Sequence, residues 1–423
     1  MMAHGGYGRT VGERNWAGNH EYGAAALHRP ASLEELRELV ATRPRIRVLG
    51  SRHSFTDLPD SAELLTLDDL PAAVSVDRAA ATVTCSAALR YGDLARALDP
   101  EGLALANLAS LPHISVGGAI ATATHGSGAH NGSLASAVAA LELVTSAGEV
   151  LELRRGDPDF DGAVVGLGAL GAVTRVTLDV EPAYDVRQRV FEDLAWAALL
   201  EQLDAIMALG YSTSVFLRWT APAVSVWVKS RVGAGDELEI SIPGARPATV
   251  ERHPIIGLDP VNCSAQLGVP GPWWDRLPHF RMGFTPSTGD ELQSEFLLGR
   301  ADAVPALEAL CALGPAIDPV VQVTELRTVA ADPLWMSPQH GRETFAVHFT
   351  WVPDEAAVRA ALVRVEAALA PFAPRPHWGK VFLARAADLA PGYPRLPDFA
   401  ALAARLDARG AFRNAWLERH VLG

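Results

Sequence analysis

Apolar and polar positions recur along this chain with two periods, and where one gives way to the other predicts its elements. Leu33, Leu36, Leu39 and Val40 follow helical spacing behind Ser32, a natural cap, with Glu35 three residues on to close a capping box. The apolar run 46–49 predicts a short buried strand that stops at Gly50. Residues 64–67, 73–76 and 82–86 read as further strands and 91–98 as a helix, an opening that suits a small α+β unit better than a doubly wound sheet. The segments 141–145 and 150–153 predict a hairpin turning at Ala147-Gly148, 159–171 a helix rich in small residues, and 173–180 a closing strand.

Past Glu181-Pro182 the texture changes. Residues 194–209 read as an amphipathic helix, and 214–219, 224–229, 293–297, 320–329 and 344–351 as strands. With helices over 301–313 and 355–369, this predicts an antiparallel sheet with helices on one face. The passage 269–274, with two prolines and two tryptophans, reads as an irregular connection or lid, and 398–408 as a helix capped by Asp398 and ended by Gly410.

Alternation also exposes misplaced polar residues. Side chains two apart on a strand share a face, so Val321, Val323, Glu325, Arg327 and Val329 point one way. An acid and a base thus share an apolar surface, either as an ion pair holding the sheet or as part of a site. In 344–351, Phe345, Val347, Phe349 and Trp351 must be core, which leaves Thr344, Ala346, His348 and Thr350 to line a cavity or meet water. Lys380 lies amid Trp378, Val381 and Phe382, where it either snorkels to solvent or joins a polar pocket.

Composition narrows the setting. With 423 residues, 49% of them apolar and 20% charged, the chain suits two or three globular domains. A net charge of −13 argues against nucleic acid or an anionic membrane as partner. No uninterrupted apolar run reaches the ~20 residues that span a bilayer. Residues 1–22 hold no apolar export segment, and Cys85, Cys263 and Cys311 are too scattered for a disulfide framework or a zinc site. A reducing cytoplasm is the expected location, with no metal.

Two stretches carry candidate cofactor chemistry. In Gly50-Ser51-Arg52-His53-Ser54-Phe55 a glycine at a strand end lets backbone N–H groups approach a ligand, beside an imidazole. From Ala109 to Gly128 nearly every residue is small or hydroxylated, including Ser110, Ser115, Gly117, Gly118, Thr122, Thr124, His125 and Gly126. Neither a P-loop nor a Rossmann glycine pattern fits the spacing, so the stretch is either a phosphate cradle of another kind or a tightly packed helix.

Together with Asn15-Trp16-Ala17-Gly18-Asn19, Thr324-Glu325-Leu326-Arg327-Thr328, His348-Phe349-Thr350-Trp351 and His377-Trp378-Gly379-Lys380, these motifs resemble, in order, those of the alditol oxidases of the vanillyl-alcohol-oxidase family. One departure is Arg52, where many of the wider family have a second glycine. The resemblance implies an FAD-binding domain of two α+β subdomains over 1–182, completed by 371–423, with an antiparallel-sheet cap domain over 183–370. It implies covalent FAD attachment at His53, with Gly50, Ser51, Arg52, Ser54, Ser110, Ser115, Gly118, Thr122, His125 and Gly126 around the cofactor. It makes Ser110, Glu325, Arg327, Thr350 and Lys380 the substrate contacts, and Arg327, Lys380, Glu325 and His348 the catalytic group. The implied reaction oxidises a terminal alcohol of a polyol such as xylitol or sorbitol with dioxygen, in a monomer. An aldonolactone oxidase or dehydrogenase on the same scaffold, or a flavin- or sugar-binding protein without turnover, are the alternatives.

Overall fold

The computed structural model describes residues 13–233, 240–284 and 291–423. Ser32 caps the helix Leu33–Thr42 by accepting the Glu35 N–H at 3.2 Å, while the Glu35 carboxylate accepts the Ala31 N–H, one residue before the cap. That helix buries Leu36 and Val40 against Ile46, Leu65 and Phe412. Beneath it lies a parallel sheet with Glu63–Leu65 between Leu27–His28 and Ile46–Val48. A second, antiparallel sheet runs Val74–Asp77, Thr82–Ser86, Ala172–Asp179, Val138–Val144, Val150–Arg154, its last pair forming the expected hairpin.

The larger sheet has nine strands and is antiparallel. Its centre runs Ala223–Val232, Ser212–Leu217, Val321–Val329, Thr344–Trp351, Leu292–Gly299. The helices Ala303–Ile317 and Glu355–Leu369 bury Leu307, Leu310, Val358 and Leu362 in one core with Phe345, Val347, Phe349 and Trp351. Alternation therefore turns Glu325, Arg327, His348 and Thr350 to the opposite face. The stretch Arg300–Val320 is long enough and, at a mean hydropathy of 1.3, apolar enough to cross a membrane.

The C-terminal segment belongs to both halves. Arg375–Pro376 pairs with Phe296 and Leu297 at the edge of the large sheet, beyond the boundary expected at 370. Farther on, Ala411 accepts the Ile46 N–H at 2.8 Å, and the buried Arg47 guanidinium donates to the carbonyls of Phe412 and Leu167.

Three expected helices differ. Only Phe160–Ala163 is helical within 159–171, because Leu167, Gly168 and Gly171 take positive φ and lead the chain along the cavity wall. Leu194 and Ala195 still belong to the strand Asp185–Ala195, bulged beside Asp193 at φ 63°, so the helix expected over 194–209 is two short ones, Trp196–Glu201 and Leu203–Met207. The third, expected over 398–408, is Leu396–Leu406; Arg395 occupies its cap, and Asp398 lies in the first turn bonded to the Arg395 guanidinium.

Candidate active site

A cavity of about 940 Å³ lies between the small sheets and the polar face of the large one. The expected residues Gly50, Ser51, Arg52, His53, Ser54, Ser110, Ser115, Gly118, Thr122 and His125 line one part, and Glu325, Arg327, His348, Thr350 and Lys380 the other. Gly126 is not among the lining residues: a Cβ there would meet the Leu108 carbonyl at 2.4 Å, so its glycine serves packing. Thr344 and Ala346, on the His348 face, also lie outside the cavity wall.

The His53 loop is held from three directions. Ser51 Oγ accepts the Ser115 N–H at 2.9 Å, and Ser115 Oγ accepts the Ser51 N–H at 3.3 Å. A Cβ on Gly50 would come within 2.7 Å of Ser115 Oγ, so only glycine allows that approach. Asn15 and Asn19 donate to the carbonyls of Ser54 and Phe55, and Gly379 accepts the Phe55 N–H. Trp16 stacks on the imidazole with centroids 5.5 Å apart. Arg52 turns the chain at φ 63° and pairs with Glu13.

His53 donates from Nδ1 to the Ser51 carbonyl at 2.8 Å, which leaves Nε2 buried without a hydrogen-bond partner among the described residues. Desolvation pushes its pKa down to about 4, so the ring is neutral. An unpartnered nitrogen in a cavity walled by Gly50, Gly117, Gly118, Gly166, Gly168 and Gly171 suits a large planar group and the phosphates of a dinucleotide. The residues present therefore fit FAD.

In the other part, register puts Glu295, His348 and Glu325 opposite one another on three adjacent strands. Glu295 was missed by strand-by-strand reading and is the hub. Its Oε1 accepts from Arg327 at 2.9 Å and lies 3.4 Å from His125 Nε2, and its Oε2 accepts from Lys380 Nζ at 2.7 Å. Burial would raise this carboxyl, but Arg327, Lys380 and His125 overcome it and hold it well below the usual range. Glu325 is likewise held ionised against its burial by Arg327, 3.5 Å away, and His279, whose Nε2 lies 2.9 Å from Oε1. His279 was also missed; it follows the Pro/Trp-rich passage, which forms one two-residue strand and one helical turn.

The Lys380 ammonium has only donors, so at 2.6 Å His348 Nδ1 accepts from it. His348 Nε2 then carries the proton and donates to Thr350 Oγ1 at 3.3 Å, which frees the threonine hydroxyl hydrogen for a ligand. Burial brings Lys380 down to about 8 against the pull of Glu295, and burial with the Lys380 charge brings His348 to about 4. The result is an ionic wall with two carboxylates, two cations and a hydroxyl. Among the described residues, no group of three or more His, Cys, Asp or Glu is placed to hold a metal ion.

A sugar-sized polar pocket adjoining a glycine-walled dinucleotide cleft defines a flavin-dependent oxidoreductase, and residues 24–154 match the FAD binding domain family. Residues 294–420 match the D-arabinono-1,4-lactone oxidase family. An alditol oxidase from Streptomyces sp. is 50% identical over 95% of this chain and 97% of its own. An L-gulono-1,4-lactone dehydrogenase from Mycobacterium tuberculosis is 31% identical over 97% of this chain and 98% of its own. The fold also matches a cholesterol oxidase from B. sterolicum with a TM-score of 0.78, at 15% identity over 97% of this chain and 96% of that one. The chain belongs to the alditol oxidases of the vanillyl-alcohol-oxidase family.

Proposed function

We propose that this enzyme oxidises the terminal primary alcohol of an open-chain alditol, such as xylitol or sorbitol, to the aldose. Bound FAD supplies the hydride acceptor, and dioxygen takes the electrons onward as hydrogen peroxide. The observation that carries the reading is the mixed donor and acceptor wall of Glu325, Arg327, Lys380 and Thr350 within one cavity. Successive hydroxyls of a polyol both donate and accept, so they satisfy all four groups.

Arg327 and Lys380 bring positive charge to the reacting hydroxyl oxygen, and low dielectric strengthens that effect. Glu325 accepts from a neighbouring hydroxyl, Thr350 donates, and Ser110 contributes from the flavin side. We further assign His53 as the covalent attachment point for the flavin and the loops 50–55 and 110–125 as its cradle. The neutral imidazole, stacked on Trp16 with its Nε2 unpartnered among the described residues, supports that assignment. The first domain is taken as 1–182 with 371–423, and the cap as 183–370.

The match of residues 294–420 to a lactone oxidase family favours a second reading, an aldonolactone substrate. A lactone offers a carbonyl at the reacting end and fewer donors, which leaves Glu325 underpaired at a cost of about 1–3 kcal/mol. Polyols and aldonolactones offered side by side in air, with peroxide followed, decide between them. Faster turnover of gulono- or galactonolactone than of xylitol and sorbitol makes the second reading the right one.

A further inference from the structure

We propose that Lys229 is a positioning residue of the substrate site, acting through His279 to hold the Glu325 carboxylate for a polyol hydroxyl; this rests on the substrate reading above. Lys229 lies on the strand Ala223–Val232 and is 2% exposed. Among the described residues no carboxylate forms an ion pair with it. Its Nζ instead donates to the carbonyls of Leu277, at 2.5 Å, and Pro278, at 3.1 Å, and lies 3.3 Å from His279 Nδ1.

Burial brings the Lys229 ammonium down to about 7; below that value it has three donors and no acceptor, so the third contact makes His279 Nδ1 the acceptor. Nε2 must then carry the ring proton, and it points at Glu325 Oε1 from 2.9 Å. Phe216 and Trp227 meet the imidazole edge-on, at 5.4 and 5.8 Å between centroids, and its backbone N–H donates to the Ser110 carbonyl at 3.1 Å. The ring can neither swing away nor present the wrong nitrogen without losing these contacts.

The charged and titratable groups facing the pair are Glu325 and Arg327 on the strand Val321–Val329, beyond Ser212–Leu217, and Cys263 from the connection. Burial, with the Lys229 charge, keeps His279 neutral to about pH 4. His279 thus passes one hydrogen bond to Glu325 without adding a positive charge, so the carboxylate keeps its remaining lone pairs for a ligand. On the far side of the row, Lys380 fixes His348 in the same tautomer, with Nδ1 as acceptor. Two lysine–histidine couples therefore flank the wall, one presenting an acceptor and the other a hydroxyl donor.

A lysine that merely tied down the Leu277–Pro278 carbonyls would look similar, and a double-mutant cycle separates the cases. Xylitol kcat/KM is measured on flavin-loaded wild type, Lys229→Met, Glu325→Gln and the double variant. Lys229→Met is expected to lower kcat/KM by roughly tenfold or more, chiefly through KM, and by less than about threefold when Glu325 is already Gln. Equal losses in both backgrounds overturn the proposal.

Should Lys229→Met fail to fold, His279 decides. Gln there can accept from Lys229 and donate to Glu325, so His279→Gln should keep far more activity than His279→Leu; equal losses overturn the relay. Independently of turnover, ¹⁵N-histidine spectra recorded between about pH 4 and 7, where the ring is neutral and Lys229 charged, with the His279 signals assigned by difference from His279→Gln, should show Nε2 protonated and Nδ1 bare. The reverse tautomer also overturns it. A wild type that oxidises lactones and no polyol sinks the substrate reading alone, because the tautomer, and a cycle run on lactone, still report on the relay.

Discussion

Lys380 Nζ lies 2.7 Å from Oε2 of Glu295, a carboxylate whose side chain is 1% exposed and which also takes Arg327. The two cations assigned to the reacting oxygen are thus oriented by one anion from the strand Leu292–Gly299. Removing one partner from such a buried group leaves uncompensated charge at a cost of about 3–5 kcal/mol. Glu295→Gln should therefore lower the melting temperature by several degrees and reduce kcat more than KM. Thermal melts and steady-state kinetics on the same preparation check both; an unchanged kcat refutes the orienting role.

Arg327→Lys should cost about 10²-fold in kcat/KM. A single ammonium cannot span Glu295, 2.9 Å from Nη2, and Glu325, 3.5 Å from Nε. Rescue of turnover by guanidinium in solution would show the planar fork to be the missing part.

Activity should fall as pH rises past about 8. Below that value Lys380 is charged, and above it the cavity loses one cation facing the substrate oxygen. The kcat/KM profile of the wild type should bend there with the loss of one proton, and Lys380→Met should have no such bend. A flat profile to pH 10 counts against a charged Lys380.

Stability should fall on the acid side. His279 and His348 stay neutral in the fold down to about 4, while in the unfolded chain they take up a proton near their ordinary value of 6.5. Between those limits the unfolded chain binds more protons, so each ring removes up to roughly 3 kcal/mol as pH drops from 6.5 to 4. The depressed carboxyls of Glu295 and Glu325 add to the loss below their ordinary 4.5. Melting temperatures from pH 7 to 4 measure it, and His348→Gln should flatten the curve.

His53→Ala should release the flavin. Acid precipitation of the wild type should leave the yellow colour in the pellet, and of the variant in the supernatant. Colour released from the wild type defeats the covalent assignment. Arg52→Gly should keep the attachment and stay within about 1 kcal/mol of wild-type stability, since relief at φ 63° offsets the lost half-exposed pair with Glu13.

Glu325 and Arg327 could be read from sequence because a two-residue period on an apolar strand isolates them. Glu295 could not: in Gln293-Ser294-Glu295 three polar residues in a row hide the inward one. Only the pairing of Glu295 with His348 shows which way it faces. Lys229 closes the strand expected over 224–229, yet that strand continues to Val232 and the lysine is buried within it. His279 had no periodic context at all, since irregular backbone gives no face to reason from. The segment 159–171 misled through composition, because its alanines and leucines favour a helix that the positive φ of Leu167, Gly168 and Gly171 then breaks.

The bond from the Ile46 N–H to the Ala411 carbonyl, and from Arg47 to Phe412 across 365 positions, also sets an order of events during synthesis. The ribosome delivers the His53 loop first, and Gly379 and the strand-pinning residues 411 and 412 follow only after several hundred further positions. The loop spends that interval without the contacts that shape it. Cofactor capture thus waits for those residues, and ribosome-stalled chains ending before residue 379 should stay colourless in FAD.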